Sequence, residues 1–469
     1  MNAASKVIPP IPAASPKQPV QSRPAPPIRP KGFTPALFFQ APARASGSCK
    51  IAVILLLLIY SRISDLLAMK LGSIATILGP ILVFTVLGLA VSALTGGMRR
   101  ALLSPVGIFF LAFSGLLIVG VPGSVWPGGS VGVLKDYWFK SVADFICVVG
   151  LLTTLDDIRL ALNAICCGVL FVILQSFLLG TEGRLALSEG MLGNPNSLAF
   201  FLAALWPICW VVAQDRSRAM KAVGIITCLL LPIVTFHTGS RMGLVMLVVG
   251  CGFLFLMVSG MKKFLLVLAG AAVTIVLVAT SSEEIIERYK LILADQEDLA
   301  AAFADPQGQA AMAAGSSMSR KALRKAAWEL TLAHPLLGIG PGMFAVATGS
   351  ERGENKKDGV GWHETHNTYL QISSEAGIPA ALLYIGALLY CIRSTWLLYR
   401  SRAINGLPAS FGSYGYALLA SCCIAAIGMA FGSYAYNLDF PILAALVTVL
   451  FSAANAQLAI SRRAVRTPA

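Results

Sequence analysis

His366, Arg241 and Arg184 are residues of this chain whose types and positions beside apolar runs could do chemistry. His366 lies in His363-Glu364-Thr365-His366-Asn367-Thr368-Tyr369-Leu370, where a long polar stretch gives way to an apolar run. An imidazole, with an unperturbed pKa of ~6.5, is a usable base at neutral pH. At a membrane boundary it can reach both a soluble sugar and a lipid headgroup. If the re-entering segment is helical, His366 shares a face with Tyr369 and Leu370, while Asn367, Gln371 and Glu375 recur at i, i+4 and i+8. A structural His366, bonded to the backbone, is the competing reading. A zinc motif starting at His363 requires histidine at position 367, which is Asn367, so no metal and no other cofactor is expected.

Arg241 closes the string His237-Thr238-Gly239-Ser240-Arg241 and opens an apolar run. A charge there costs several kcal/mol, on the order of 3 or more, unless it meets water or a partner. The planar guanidinium fork suits phosphate oxygens, so the string reads equally as an anion site at headgroup depth or as a snorkelling arginine. Arg184 shares its link with Glu182 and Glu189, and a surface ion pair explains it as well as a ligand does. In the adjoining Gly193-Asn194-Pro195-Asn196-Ser197, Asn196 reads as a helix N-cap.

These side chains need elements to hold them, and composition indicates which. The chain has 469 residues, 57% hydrophobic and 12% charged, which excludes a soluble domain and predicts an all-α polytopic membrane protein. Apolar runs near 50–68, 73–96, 101–121, 139–155, 160–180, 196–213, 220–236, 242–260, 264–281, 376–398, 410–432 and 440–460 give about twelve transmembrane helices. The first and fourth are the weakest, holding Arg62 and Asp65, then Asp144. The predicted divisions are a tail 1–49, membrane helices one to nine over 50–281, a loop 282–375, helices ten to twelve over 376–460, and a tail 461–469.

The net charge of +14 suggests nucleic acid until the cations are mapped onto alternating sides. With the N-terminus inside, 21 of 36 cations fall on the cytoplasmic side, and nine of the other 15 lie in the long loop. Long loops weigh little in the positive-inside rule. Both termini are therefore expected inside, the loop outside, and no nucleic-acid partner. All ten cysteines sit in or beside apolar runs, which excludes a disulfide-stapled outer domain. Residues 1–46 hold eleven prolines and no acid, the composition of a disordered basic tail near anionic lipid or of a recruitment site for a cytoplasmic partner. Inside the loop, 319–333 predicts a helix capped by Ser319, with Leu323, Ala327, Leu330 and Ala333 as its apolar face, ending before Pro335. The glycines of 338–342 predict a tight turn rather than a phosphate cradle.

In order, GRLALSEGMLGNPNSLAF, TGSRMG at the start of a span, a long outer loop, HPLLGIGPGMF, and HNTYLQISSEAGIP leading into a span resemble the O-antigen ligases and the O-antigen and exopolysaccharide polymerases of bacterial inner membranes. The resemblance covers about Arg184 to Pro379. It implies a GT-C-like fold and a metal-independent, inverting glycosyltransferase acting at the periplasmic face. The implied donor is a polyprenyl-diphosphate-linked glycan, and the acceptor a glycan or lipid A–core. It puts diphosphate-binding arginines at Arg184 and Arg241, the essential histidine at His366, and a further recurrent arginine at Arg320. His363, Asn367, Tyr369 and Glu375 are supporting candidates. A polymerase has the same donor chemistry. A lipid-linked glycan transporter is the alternative of another class, against which stand the single large loop and the lack of matching interrupted helices in the two halves.

Overall fold

Backbone N–H and C=O groups inside a bilayer have no water to bond, so apolar runs of this length must close their hydrogen bonds internally as helices. The computed structural model describes residues 47–71, 79–180, 183–188, 190–258, 260–290, 309–351, 364–400 and 407–466. The expectations for the proline-rich tail, Glu182, Glu189, His363 and most of 295–318 fall outside these residues. The helices are α1 Cys49–Ser61, α2 Ile63–Leu71, α3 Pro80–Leu94, α4 Gly97–Leu102, α5 Pro105–Gly120, α6 Pro127–Val133, α7 Phe139–Leu151, α8 Leu155–Leu179 and α9 Pro195–Val212. There follow α10 Arg218–His237, α11 Arg241–Met257, α12 Met261–Thr280, α13 Glu283–Lys290, α14 Gln309–Ala333, α15 Phe344–Glu351, α16 Thr368–Arg400, α17 Ala409–Met429 and α18 Asp439–Arg466. Among the described residues the only β pairing is an isolated bridge between Gly180 and Leu187.

Each of the twelve predicted runs coincides with a helix, but seven of these helices are long and apolar enough to cross a membrane: α5, α8, α9, α10, α16, α17 and α18. The two weak runs show why. The first breaks at Arg62, which takes a left-handed backbone (φ 53°) and ends α1. Its guanidinium is buried over the Phe201 ring, 5.6 Å from the centroid. In the fourth, α7 has only 13 residues, and buried Asp144 accepts a hydrogen bond from the Thr85 hydroxyl at 2.8 Å. The tenth starts eight residues before position 376, at Thr368, and non-helical Gly377 (φ 87°) divides it. The final helix continues to Arg466, past the predicted end at 460.

α9 forms the centre, packing on α8, α10, α11 and α17. Its apolar window is 78% buried against 33% for α10, which lies at the perimeter. Perimeter residues such as Leu94, Leu178 and Ile275 expose large apolar side chains, as lipid-facing surfaces do. The links that follow His237, Thr280 and Met429, together with α13, α14 and the start of α16, gather at one end of this bundle around the N-terminus of α9.

Candidate active site

The N-terminus of α9 is built differently from the sequence expectation. Asn194 is the N-cap, its Oδ1 accepting from the Asn196 N–H at 2.9 Å, because Pro195 takes the first helical position. Asn196 is therefore not the cap. Its Oδ1 instead accepts from the Ser240 hydroxyl at 2.8 Å and from Arg184 Nη2 at 3.5 Å. Ser240 also caps α11 by accepting from the Gly243 N–H, which makes Arg241 the first residue of that helix. The Arg184 Nε donates to the Thr238 carbonyl at 2.9 Å, and the Leu185 N–H to the His237 carbonyl at 3.0 Å. The His237-to-Arg241 string is thus a turn that ties the Arg184 link to the base of Arg241. At its apex Gly239 has φ 59°, and a Cβ there would stand 3.4 Å from Arg184 Nε and 3.7 Å from Arg288 Cδ.

Two further guanidinium groups reach this place from the long segment after α12. Tyr289 donates its hydroxyl to the Phe236 carbonyl at 2.7 Å and packs against the Phe236 ring, which docks α13 beside α10 and brings Arg288 to Gly239. α14 begins at Gln309, so Ser319 lies inside the helix rather than capping it; the alanine-rich 309–314 favours helix. It ends at Ala333, before His334-Pro335, as expected. Its buried face is Leu323, Ala327 and Thr331, whereas Ala333 is exposed. Phe344 packs on Leu323 and Ala327, and Thr331 bonds Ser373 of α16 at 2.9 Å. These contacts fix Arg320 at the site. Burial pulls the Arg320 guanidinium below its ordinary range, and the neighbouring cations Arg241, Arg288 and Arg324 pull it further. Close like charges in a partly dehydrated place repel by on the order of 1–4 kcal/mol per pair.

His366 is not on the helix. It precedes the N-cap Asn367 with a left-handed backbone (φ 50°), which costs a non-glycine residue about 1 kcal/mol or more. Its N–H donates to the Ser433 hydroxyl at 3.0 Å. The predicted polar stripe exists but is spent on structure. Asn367 Oδ1 accepts from the Leu370 N–H and its Nδ2 donates to the Ala430 carbonyl. Gln371 accepts from the Ala435 N–H, and Glu375 from the Tyr436 hydroxyl at 2.9 Å. Tyr369 donates to the Ala426 carbonyl. The stripe straps the 430–436 link to α16 and so fixes Ser433 under His366.

Glu375 is 2% exposed and also accepts from the N–H groups of Gly342 and Phe344, at 3.0 and 3.1 Å. It anchors the 338–342 turn, whose glycines at 338, 340 and 342 all have positive φ. The tight-turn expectation holds, and Glu375 is a structural tie.

Tyr434 joins the two halves of the site. Its ring stacks on Phe200 of α9, with centroids 4.0 Å apart, and its backbone N–H donates to the Thr368 hydroxyl. Burial raises its phenol, which bonds Ser197 and feels the charge of Arg320. One continuous path therefore runs from His366 through Ser433 and Tyr434 to Ser197 and Asn196, which holds Arg184 and Ser240. Sequence reasoning missed Arg288, Ser433 and Tyr434. Only Arg288 left a signal, the amphipathic spacing of Ile285, Ile286 and Tyr289 around it.

Residues 226–385 match the family model described as O-antigen ligase. The match includes Arg241, Arg288, Arg320 and His366, while Arg184 precedes it. No curated protein matches the chain.

Proposed function

We propose, for a chain whose residues 226–385 match the O-antigen ligase family model, that it moves a glycan from a polyprenyl diphosphate to an acceptor hydroxyl. The observation that carries this reading is the gathering of Arg184, Arg241, Arg288 and Arg320 from four separate segments beside the Tyr434–Ser433–His366 path. A sugar on a lipid diphosphate brings its own leaving group, so the site must stabilise the charge that develops as the bond breaks. Preorganised guanidinium groups in a partly dehydrated place do this.

In this reading the acceptor oxygen attacks the anomeric carbon as the carbon–oxygen bond to the diphosphate breaks. The bonding electrons leave with the diphosphate, held by the arginines. His366 takes the hydroxyl proton. One displacement inverts the anomeric centre, and the arginine charges supply what a divalent cation would otherwise provide. The strained backbone of His366 fits a residue held for function rather than for packing. The chain crosses the bacterial inner membrane about twelve times, keeps both termini in the cytoplasm, and presents this site to the periplasm.

Purified full-length protein given lipid-linked donor and candidate acceptors, without nucleotide, tests the reading. It predicts a glycosylated acceptor and free polyprenyl diphosphate; no product with any acceptor, alongside donor crossing a bilayer, would mean a transporter. A deletion strain distinguishes the variants of the enzyme reading. Bare core with accumulated polymer marks a ligase, and single-repeat lipopolysaccharide marks a polymerase.

A further inference from the structure

Arg288 lies on α13, an eight-residue helix at the start of the long polar segment. Three observations point it at the donor. First, α13 is docked, with Ile285 buried and Tyr289 bonded to Phe236, so the Arg288 side chain is directed to Gly239, where the Arg184 guanidinium also lies. Second, the Nε atoms of Arg288 and Arg320 are both buried without a hydrogen-bond partner among the described residues. A buried guanidinium N–H lacking an acceptor is destabilising, and an anionic oxygen between the two would relieve both. Third, Arg288 and Arg241 both stand among the charges that Arg320 senses, so four cations are brought together from α11, α13, α14 and the link before α9. Mutual repulsion among these cations opposes that convergence. A bound polyanion turns each repulsion into a shared attraction.

We infer that Arg288 is a further ligand of the donor diphosphate, and that α13 is the element which closes the anion site over the link between α10 and α11. The inference rests on the donor-site reading above. It makes a specific demand that a structural arginine would not meet: removing the charge should leave the empty protein as stable as before or more so, and weaken only the anion-bound state.

The experiment is a thermal-shift titration of the purified full-length protein with inorganic pyrophosphate, paired with the KM for a lipid-linked donor. Arg288→Gln should keep or raise the melting temperature without anion, and raise both the pyrophosphate midpoint and the donor KM about tenfold. Arg288→Lys, which keeps the charge and loses the fork, should raise both by about threefold. Midpoint and KM unchanged in both variants would overturn the inference, as would a lowered melting temperature with an unchanged midpoint. If Arg184→Gln and Arg241→Gln also leave both quantities unchanged, the donor-site reading itself fails; if only the Arg288 variants do, the failure belongs to this inference.

Discussion

Arg159 and Arg320 show two uses of the same side chain at two different places in the bundle. Arg159, on α8, forms a fork with Asp215, with Nε and Nη2 at 2.7 and 2.6 Å from the two carboxylate oxygens. Asp215 also accepts from the Ser217 N–H at 2.7 Å, so charge and hydrogen bonds are satisfied together. Arg320 is the opposite case, a partly buried cation whose charged neighbours include Arg241, Arg288 and Arg324 and whose Nε has no partner among the described residues. The first arrangement ties α8 to the link between α9 and α10, with both carboxylate oxygens engaged. The second gathers like charges, and in the proposed reading the donor diphosphate offsets them.

The contrast makes opposite predictions for the two sets. Among the arginine and aspartate variants the largest effect belongs to Arg241→Gln, expected to reduce glycan transfer by about 10²–10³, as loss of a preorganised charge at a reacting anion does. Transfer at the wild-type rate would remove the distinction. Arg184→Lys should still lower transfer by roughly tenfold, because the bidentate contact is lost although the charge remains; full activity at both saturating and limiting donor would favour an arginine that merely caps the Thr238 carbonyl. Asp215→Asn should do the reverse, lowering stability by about 1–2 kcal/mol in denaturation while donor KM stays the same.

A smaller, pH-dependent effect sharpens the same comparison. The Arg159 fork holds the Asp215 carboxyl down at about 2. A carboxylate depressed in the folded state adds stability above its unfolded pKa of about 3.9, and that stability is lost as pH falls through the folded value. Denaturation between about pH 5 and pH 2 should therefore show a stability loss that Asp215→Asn lacks, and equal acid sensitivity in both proteins would remove Asp215 from the account.

Much of the scaffold was legible because hydrophobic run length reports directly on bilayer burial. Among the described residues every apolar run is helical, the first broken in two at Arg62, and the string His237 to Arg241 organises two arginines. The failures have local physical causes. Asn196 was taken for the cap although Pro195, a residue suited to the first helical turn, already indicated Asn194. The helical face for His366 depends on the segment being helical from that residue, whereas the helix starts at Thr368 and Ser433, from the distant 430–436 link, holds the left-handed His366 backbone. Glu375 falls on the ordered polar stripe that its spacing predicts, but no local pattern indicates that two backbone N–H groups and a phenol enclose its carboxylate. Arg288 and Tyr434 were invisible because their importance lies in convergence, which no local pattern records.

The central claim is that the guanidinium groups bind the donor while His366 performs the proton transfer, and one pair of quantities separates these roles. Donor binding and turnover should be measured together on purified His366→Ala. The account predicts wild-type donor affinity with transfer reduced by about 10²–10⁴. Transfer at the wild-type rate in that variant would contradict it.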